Sequence, residues 1–227
     1  MMDDRKQEIL DIIIKEHIKT GAPVGSSIVV DRYRLDISSA TVRNEMASLE
    51  NDGYIAQPHT SAGRVPTEIA YRLYLDNLKE KKINSQNAKV LDQNLGKADE
   101  DSFKKTAKEL ARLSGNAVFW AIHKNNLYYT GISNLLTQPE FAQTNLILDI
   151  SAVIDRVDEI ISEIFEAIKE EPEILIGSNN PFGNFCSTIL VKYKKDDNIG
   201  LFGILGPMRM DYENNLALVN YIKGKLM

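Results

Sequence analysis

One stretch constrains the fold more than any other: Ser38-Ser39-Ala40-Thr41-Val42-Arg43-Asn44-Glu45-Met46, then Gly53-Tyr54-Ile55, then the polar run from Pro58 to Thr67. Ser38 predicts a helix start, because its hydroxyl can accept a hydrogen bond from an unpaired first-turn N–H. Val42, Met46 and Leu49 recur at helical spacing and predict a buried stripe. The opposite face carries Ala40, Arg43, Asn44, Ala47 and Ser48. Small residues let a helix backbone approach base edges, and Arg and Asn suit guanine and adenine in bidentate pairs. A solvated helix face would carry more Glu and Lys.

The preceding segment completes a three-helix unit. Ile9, Leu10, Ile13, Ile14 and Ile18 give an apolar stripe from about Arg5 to Lys19, stopped by Thr20-Gly21-Ala22-Pro23. A short second helix is expected through Tyr33, with Ser26 as its N-cap. Two short helices joined by a tight turn fit the helix-turn-helix pattern. After Gly53, Tyr54-Ile55-Ala56 reads as a strand and His59 to Arg64 as the tip of a wing. The bland alternative is a generic helical bundle with a loop.

This arrangement makes Ser26, Ser27, Ser39, Ala40, Thr41, Arg43, Asn44, His59, Thr60, Ser61 and Arg64 the candidate DNA-contacting residues. Base edges fall to the Ser38 helix. Phosphates fall to Ser26 and Ser27 near a helix N-terminus, to the loop groups Thr60 and Ser61, and to cations including Arg64. The formal net charge of −5 argues mildly against DNA, so binding requires cations gathered on one face; Arg32, Arg34, Arg43 and Arg64 are the candidates. For Arg32 and Arg34 a solvated helix end is an equal alternative.

The run from Arg5 to Tyr74 resembles the winged-helix domain of the HrcA family, heat-inducible repressors of bacterial chaperone operons. The resemblance is carried by Thr20 to Ser26, Ser39 to Met46, Gln57 to Thr67 and Tyr71-Arg72-Leu73-Tyr74. Further blocks agree in order: Gly131 to Phe141, Ile176-Gly177, Gly200 to Pro207 and Arg209 to Tyr212. The resemblance implies an α+β chain, an N-terminal winged helix-turn-helix followed by a reduced GAF-like α/β domain. It also implies a double-stranded inverted-repeat operator, a homodimer to read it, release on heat stress and a chaperonin as a further partner. Family members are typically longer, with an inserted domain associated with dimerisation. Here Ala117 to Ile122 is followed after a few residues by Leu127 to Gly131, so the insert is absent and the dimer mode is open.

Residues 1–82 are thus read as the DNA-binding domain, 83–102 as a linker and 103–227 as the GAF-like sensor and dimerisation domain. A helix is expected from Glu68 to about Lys82, carrying Ile69, Leu73, Leu75 and Leu78. The segment from Ile83 to Asp101 is polar and weakly periodic, which reads as a linker with room for partial helix, and a helix resumes with Phe103, Ala107, Leu110 and Ala111 inward. A hairpin is expected to turn at Lys124-Asn125-Asn126, and one long amphipathic helix to carry Ile154, Val157, Ile161, Ile164, Phe165 and Ile168. Ile174 to Ile176, Thr188 to Tyr193 and Ile199 to Leu205 read as strands, the last two joined at Lys195-Asp196-Asp197-Asn198, before a helix from Tyr212 to Leu226.

Composition is that of a folded chain of two domains, with no apolar run of membrane-span length and no signal peptide at its N-terminus. A single cysteine, Cys186, fits a reducing cytoplasm and reads as a small apolar strand residue. His17, His59 and His123 are scattered, and no GxSxG, HExxH, CxxC or phosphate loop occurs. Neither catalysis, a metal nor a cofactor is expected. Two other readings stay open: a small-molecule-responsive regulator, and a module whose winged helix binds a protein.

Overall fold

Asp3 starts the first helix, α1 (Asp4–Thr20), by accepting the Lys6 N–H at 2.8 Å, and Gly21 at φ 67° closes it. The chain is seen in a computed structural model that describes residues 2–227 apart from 97, 98, 125, 143, 196 and 197. Its elements group into two units, Met1–Leu78 and Lys79–Met227.

In the first unit α1 is followed by α2 (Ser26–Tyr33) and α3 (Ser39–Asn51). Ser38 caps α3 as its sequence predicts, accepting the Thr41 N–H at 3.1 Å. Val42, Met46 and Leu49 are buried with Ile9, Leu10, Ile13, Ile14, Val29 and Ile55, so the helical stripes form one small core. Ser26 is not the N-cap of α2. Gly25 holds that place without a side-chain cap, and Ser26 is the first helical residue.

A two-stranded antiparallel ribbon follows, β1 (Ile55–Ala56) against β2 (Val65–Pro66), then α4 (Glu68–Asp76). This last helix is shorter than the run to Lys82 that was expected. Asn77 is its C-cap, with the side-chain amide donating to the Leu73 carbonyl at 3.0 Å, and the charged residues beyond offer no buried stripe. Its inward side chains are Ala70 and Tyr71, whereas Ile69 is 56% exposed.

The second unit opens with α5 (Ser85–Leu95), a helix within the stretch whose polar composition reads as a partly helical linker. Asn84 caps it, and Leu91 and Leu95 bury one narrow edge. Next comes α6 (Glu100–Ser114), with Phe103, Ala107, Leu110 and Ala111 inward as expected, joined by Ser102 and Thr106. The Thr106 hydroxyl donates to the Ser102 carbonyl at 2.8 Å, which lets a polar residue sit fully buried.

Five antiparallel strands make one sheet in the order β4-β3-β7-β6-β5: β3 (Ala117–His123), β4 (Asn126–Thr130), β5 (Glu173–Ile176), β6 (Cys186–Lys195) and β7 (Asn198–Pro207). Strands β6 and β7 pair from Cys186↔Pro207 to Lys195↔Asn198, and β3 pairs with β7 from Ala117↔Leu205 to Ala121↔Leu201. The turn positions Asn125, Asp196 and Asp197 lie outside the described residues.

Alternation along β3 sends neighbours to opposite faces. Trp120 stacks on Phe103 and Phe202 with ring centroids 5.2 and 4.6 Å apart, and its indole N–H donates to the Tyr193 hydroxyl at 2.8 Å. Phe119 instead joins Phe141, Ile161, Phe165, Phe182, Cys186 and Leu190 in the other core. Burial pushes the Cys186 thiol well above its ordinary range, as suits an apolar residue.

Between β4 and β5 the chain forms α7 (Ile132–Leu136), α8 (Thr144–Asp155) and α9 (Val157–Ile164). The single long helix expected here is two helices. Arg156, at φ −116° and ψ 13°, breaks the ladder between them, and Val157 and Ile161 still face the core. Helix α10 (Tyr212–Leu226) closes the chain at the bounds its sequence predicts.

Candidate nucleic-acid interface

The N-terminal ends of α2 and α3 lie side by side. The Ser26 and Ser39 hydroxyls share a hydrogen bond of 2.9 Å, and Thr41 Oγ1 lies 3.0 Å from Ser38 Oγ. Neither helix has an acidic residue in its first turn, and the first turn of α2 has no side-chain cap. Unpaired N–H groups at such an end favour an anion.

One turn into α3, Arg43 and Asn44 are exposed, beside exposed Ala40 and Ala47. Among the described residues neither Arg43 nor Asn44 makes a side-chain hydrogen bond or ion pair. Ser48, at the edge of that face, accepts from Lys6 Nζ at 2.8 Å.

A cleft of about 420 Å³ collects much of the predicted set. Ser26, Ser27, Arg43, Ser61 and Arg64 line it, together with Gly25, Met46, Gln57, Ala62 and Gly63. His59, Thr60 and Ser61 are exposed on the loop between β1 and β2, with His59 Nδ1 3.2 Å from the Thr60 carbonyl and Ser61 at φ 67°. Ser39, Ala40, Thr41 and Asn44 lie on α3, and His59 and Thr60 on the loop, outside the cleft lining.

The four candidate cations divide into two kinds. Arg34 and Arg43 are exposed and, among the described residues, form no ion pair. Arg32 is paired with Glu16, a carboxylate only 2% exposed that also accepts from the Tyr33 hydroxyl at 3.4 Å. Burial and that carboxylate push the Tyr33 phenol up. Arg64 donates from Nε to Glu50 Oε2 at 2.9 Å. Arg32 and Arg64 thus have structural partners that spacing does not reveal, since Glu16 lies on α1 and Arg32 on α2, while Glu50 lies on α3 and Arg64 just before β2.

Two further residues belong to this surface that the sequence analysis does not single out as contacts: Glu50, and Gln57, whose side-chain amide donates to the Ala62 carbonyl at 3.1 Å. The signal for Glu50 was its place at the end of α3, level with the ribbon.

Among the described residues there is no group of three His, Cys, Asp or Glu able to hold a metal ion. An apolar cleft in the second unit, lined by Phe119, Tyr129, Ile132, Val153 and Val157, measures about 20 Å³. Pockets for small organic ligands run to about 300–1,000 Å³. None of the helices over the described residues is long and apolar enough to cross a membrane.

By fold, this is an α+β protein. A crystal structure of a hypothetical protein, solved at 2.2 Å resolution, superposes with a TM-score of 0.79 at 18% identity, covering 100% of this chain and 98% of that one. The family model described as the HrcA protein C terminal domain matches residues 37–215, and the chain belongs to the HrcA family. A relative named heat-inducible transcription repressor HrcA, from Carboxydothermus hydrogenoformans, is 28% identical over 333 aligned positions, covering 100% of this chain and 97% of the relative. That alignment is much longer than the 227 residues here, so the relative carries segments this chain lacks. A protein of the same name from Clostridium perfringens is 56% identical over 80 residues, 35% of this chain and 24% of that protein.

Proposed function

We propose that this chain is a heat-inducible transcriptional repressor of chaperone operons that reads an inverted-repeat DNA operator. Its first unit acts as a winged helix-turn-helix, with α2 and α3 as the two helices and the ribbon loop as the wing. Residues 1–82 supply DNA binding, 83–102 connect, and 103–227 serve as a GAF-like half. One observation carries the reading: α3 presents Arg43 and Asn44, exposed and without protein partners among the described residues, between small residues and beside two adjoining helix starts. A solvated helix gains nothing from that combination, whereas a major groove accepts it.

In this reading Arg43 and Asn44 meet base edges, with Ser39, Ala40 and Thr41 close to the groove floor. Ser26 and Ser27 hold a phosphate at the start of α2, and His59, Thr60 and Ser61 reach the flanking backbone, with Arg64 at the loop's root. An inverted repeat requires two reading helices related by symmetry, so the working form is a homodimer, its contact supplied by the second unit. Heat release follows from loss of that assembly, with a chaperonin restoring the active form.

Fluorescence anisotropy tests this with an inverted-repeat duplex from a chaperone operon and a scrambled duplex of equal length, at fixed near-physiological salt. Binding confined to the repeat is the expected result. Equal weak binding to both would reduce the role to non-specific contact, and a strict monomer on the repeat would remove the dimer.

A further inference from the structure

A single carboxylate at the end of α3 holds both arms of the ribbon loop. Glu50 Oε1 accepts the Gln57 backbone N–H at 3.1 Å, just beyond β1. Glu50 Oε2 accepts Arg64 Nε–H at 2.9 Å and lies 2.9 Å from Arg64 Nη2, just before β2. The strands themselves contribute only two registered pairs, Ile55↔Pro66 and Ala56↔Val65. An isolated ribbon of that size is marginal in water and cannot by itself fix where its loop points.

Arg64 ties the loop to a second place. Its backbone N–H donates to the Val24 carbonyl at 2.9 Å, and the Val24 N–H donates to the Arg64 carbonyl at 2.8 Å. Arg64 therefore joins the segment leading into α2, the end of α3 and the outgoing arm of the loop. Its side chain is 21% exposed, and that of Glu50 is 32% exposed.

We propose that Glu50 and Arg64 are positioning residues that set the pose of the His59–Ser61 tip against α3, with the Arg64 charge neutralised by Glu50 and not by a phosphate. The proposal rests on the DNA-reading role of the first unit. It makes an opposite prediction from simple electrostatics. An acidic residue beside DNA repels phosphate, so its removal tightens binding unless the residue is holding the surface in shape.

The test uses the full chain with the inverted-repeat and scrambled duplexes over a salt series. Wild type is compared with Glu50→Ala, Arg64→Ala and the swap Glu50→Arg with Arg64→Glu. Amide hydrogen exchange is followed at Gln57, Val42 and Met46. Each single substitution is expected to weaken binding to the repeat about tenfold, the scale of one charge-assisted hydrogen bond. The slope of log K against log salt should match wild type, and the swap should recover most of the loss. Exchange at Gln57 should accelerate in Glu50→Ala while Val42 and Met46 stay protected, which shows that α3 is still folded.

Tighter binding by Glu50→Ala would overturn the proposal. So would a salt slope reduced by about 0.9 in Arg64→Ala, the signature of one lost phosphate contact. If wild type does not prefer the repeat, the functional reading fails by itself. The clamp is then judged by Gln57 exchange alone, and an unchanged rate in Glu50→Ala would sink it.

Discussion

Ser26 and Ser39, thirteen residues apart, are joined hydroxyl to hydroxyl at 2.9 Å, so the first residue of α2 and the first residue of α3 are fixed to each other. Any ligand that approaches one helix start meets the other. A double-mutant cycle of Ser26→Ala and Ser39→Ala should show a coupling of about 1 kcal/mol in urea unfolding. Additive losses would mean the two hydroxyls act separately.

Arg43→Ala should cost roughly 1–3 kcal/mol on the inverted repeat and little on scrambled DNA, if its guanidinium reads a base edge. An equal loss on both duplexes would make Arg43 a phosphate contact.

Gly63 faces a wall of backbone. A Cβ there would lie 2.5 Å from the Val24 carbonyl carbon, 2.6 Å from its oxygen and 2.8 Å from the Pro23 carbonyl carbon. Backbone cannot yield as a side chain can, so Gly63→Ala should detach the loop root from Val24. Faster amide exchange at Val24 and Arg64, with α3 still protected, is the expected result.

Trp120 is the chain's one tryptophan, fully buried, and its indole N–H has the Tyr193 hydroxyl as acceptor. Tyr193→Phe keeps the ring but leaves that donor unpaired. It should destabilise the second unit by about 1–3 kcal/mol, read by urea unfolding followed through Trp120 fluorescence. A neutral effect would mean that water or movement satisfies the indole.

The same phenol sets an alkaline limit. Burial, opposed by the Trp120 hydrogen bond, pushes Tyr193 up from 10.0 to about 12. Between those values the unfolded chain has lost the proton and the folded chain retains it. The unfolded state therefore binds fewer protons, and stability falls as pH rises through this window. Below pH 10 this contribution is fully present. Tyr193→Phe should show a shallower decline in unfolding free energy between pH 10 and 12, whereas an identical slope would place the titration elsewhere.

Helix α3 was legible because its signals are local: the Ser38 cap, the Val42, Met46 and Leu49 stripe and the unusual outer face all lie within a few turns. Helix α10 and the inner residues of α6 were legible for the same reason. Helix α5 was hardly legible because it buries chiefly Leu91 and Leu95, too narrow a stripe to stand out among polar neighbours. The break at Arg156 has no Gly or Pro to announce it, and Ile69 looks as buried as any isoleucine until the direction of α4 is known. Charge pairing was the least legible feature. Glu16 with Arg32 and Glu50 with Arg64 meet only after the chain has folded back, so a count of arginines overstates the cations left for a ligand.

The ten-pair ladder between β6 and β7 links stretches that are neighbours in sequence, so it can zip from its Lys195↔Asn198 end without help from the rest of the unit. Strand β3 comes from far upstream, beyond β4, three helices and β5, yet it lies between β4 and β7 in the sheet. Closing that long loop costs more chain entropy than closing the β6–β7 hairpin. Until it happens, the β7 edge is open and able to template a strand from another chain. The newly made second unit is therefore most open to strand exchange with another copy between the closing of the β6–β7 hairpin and the docking of β3.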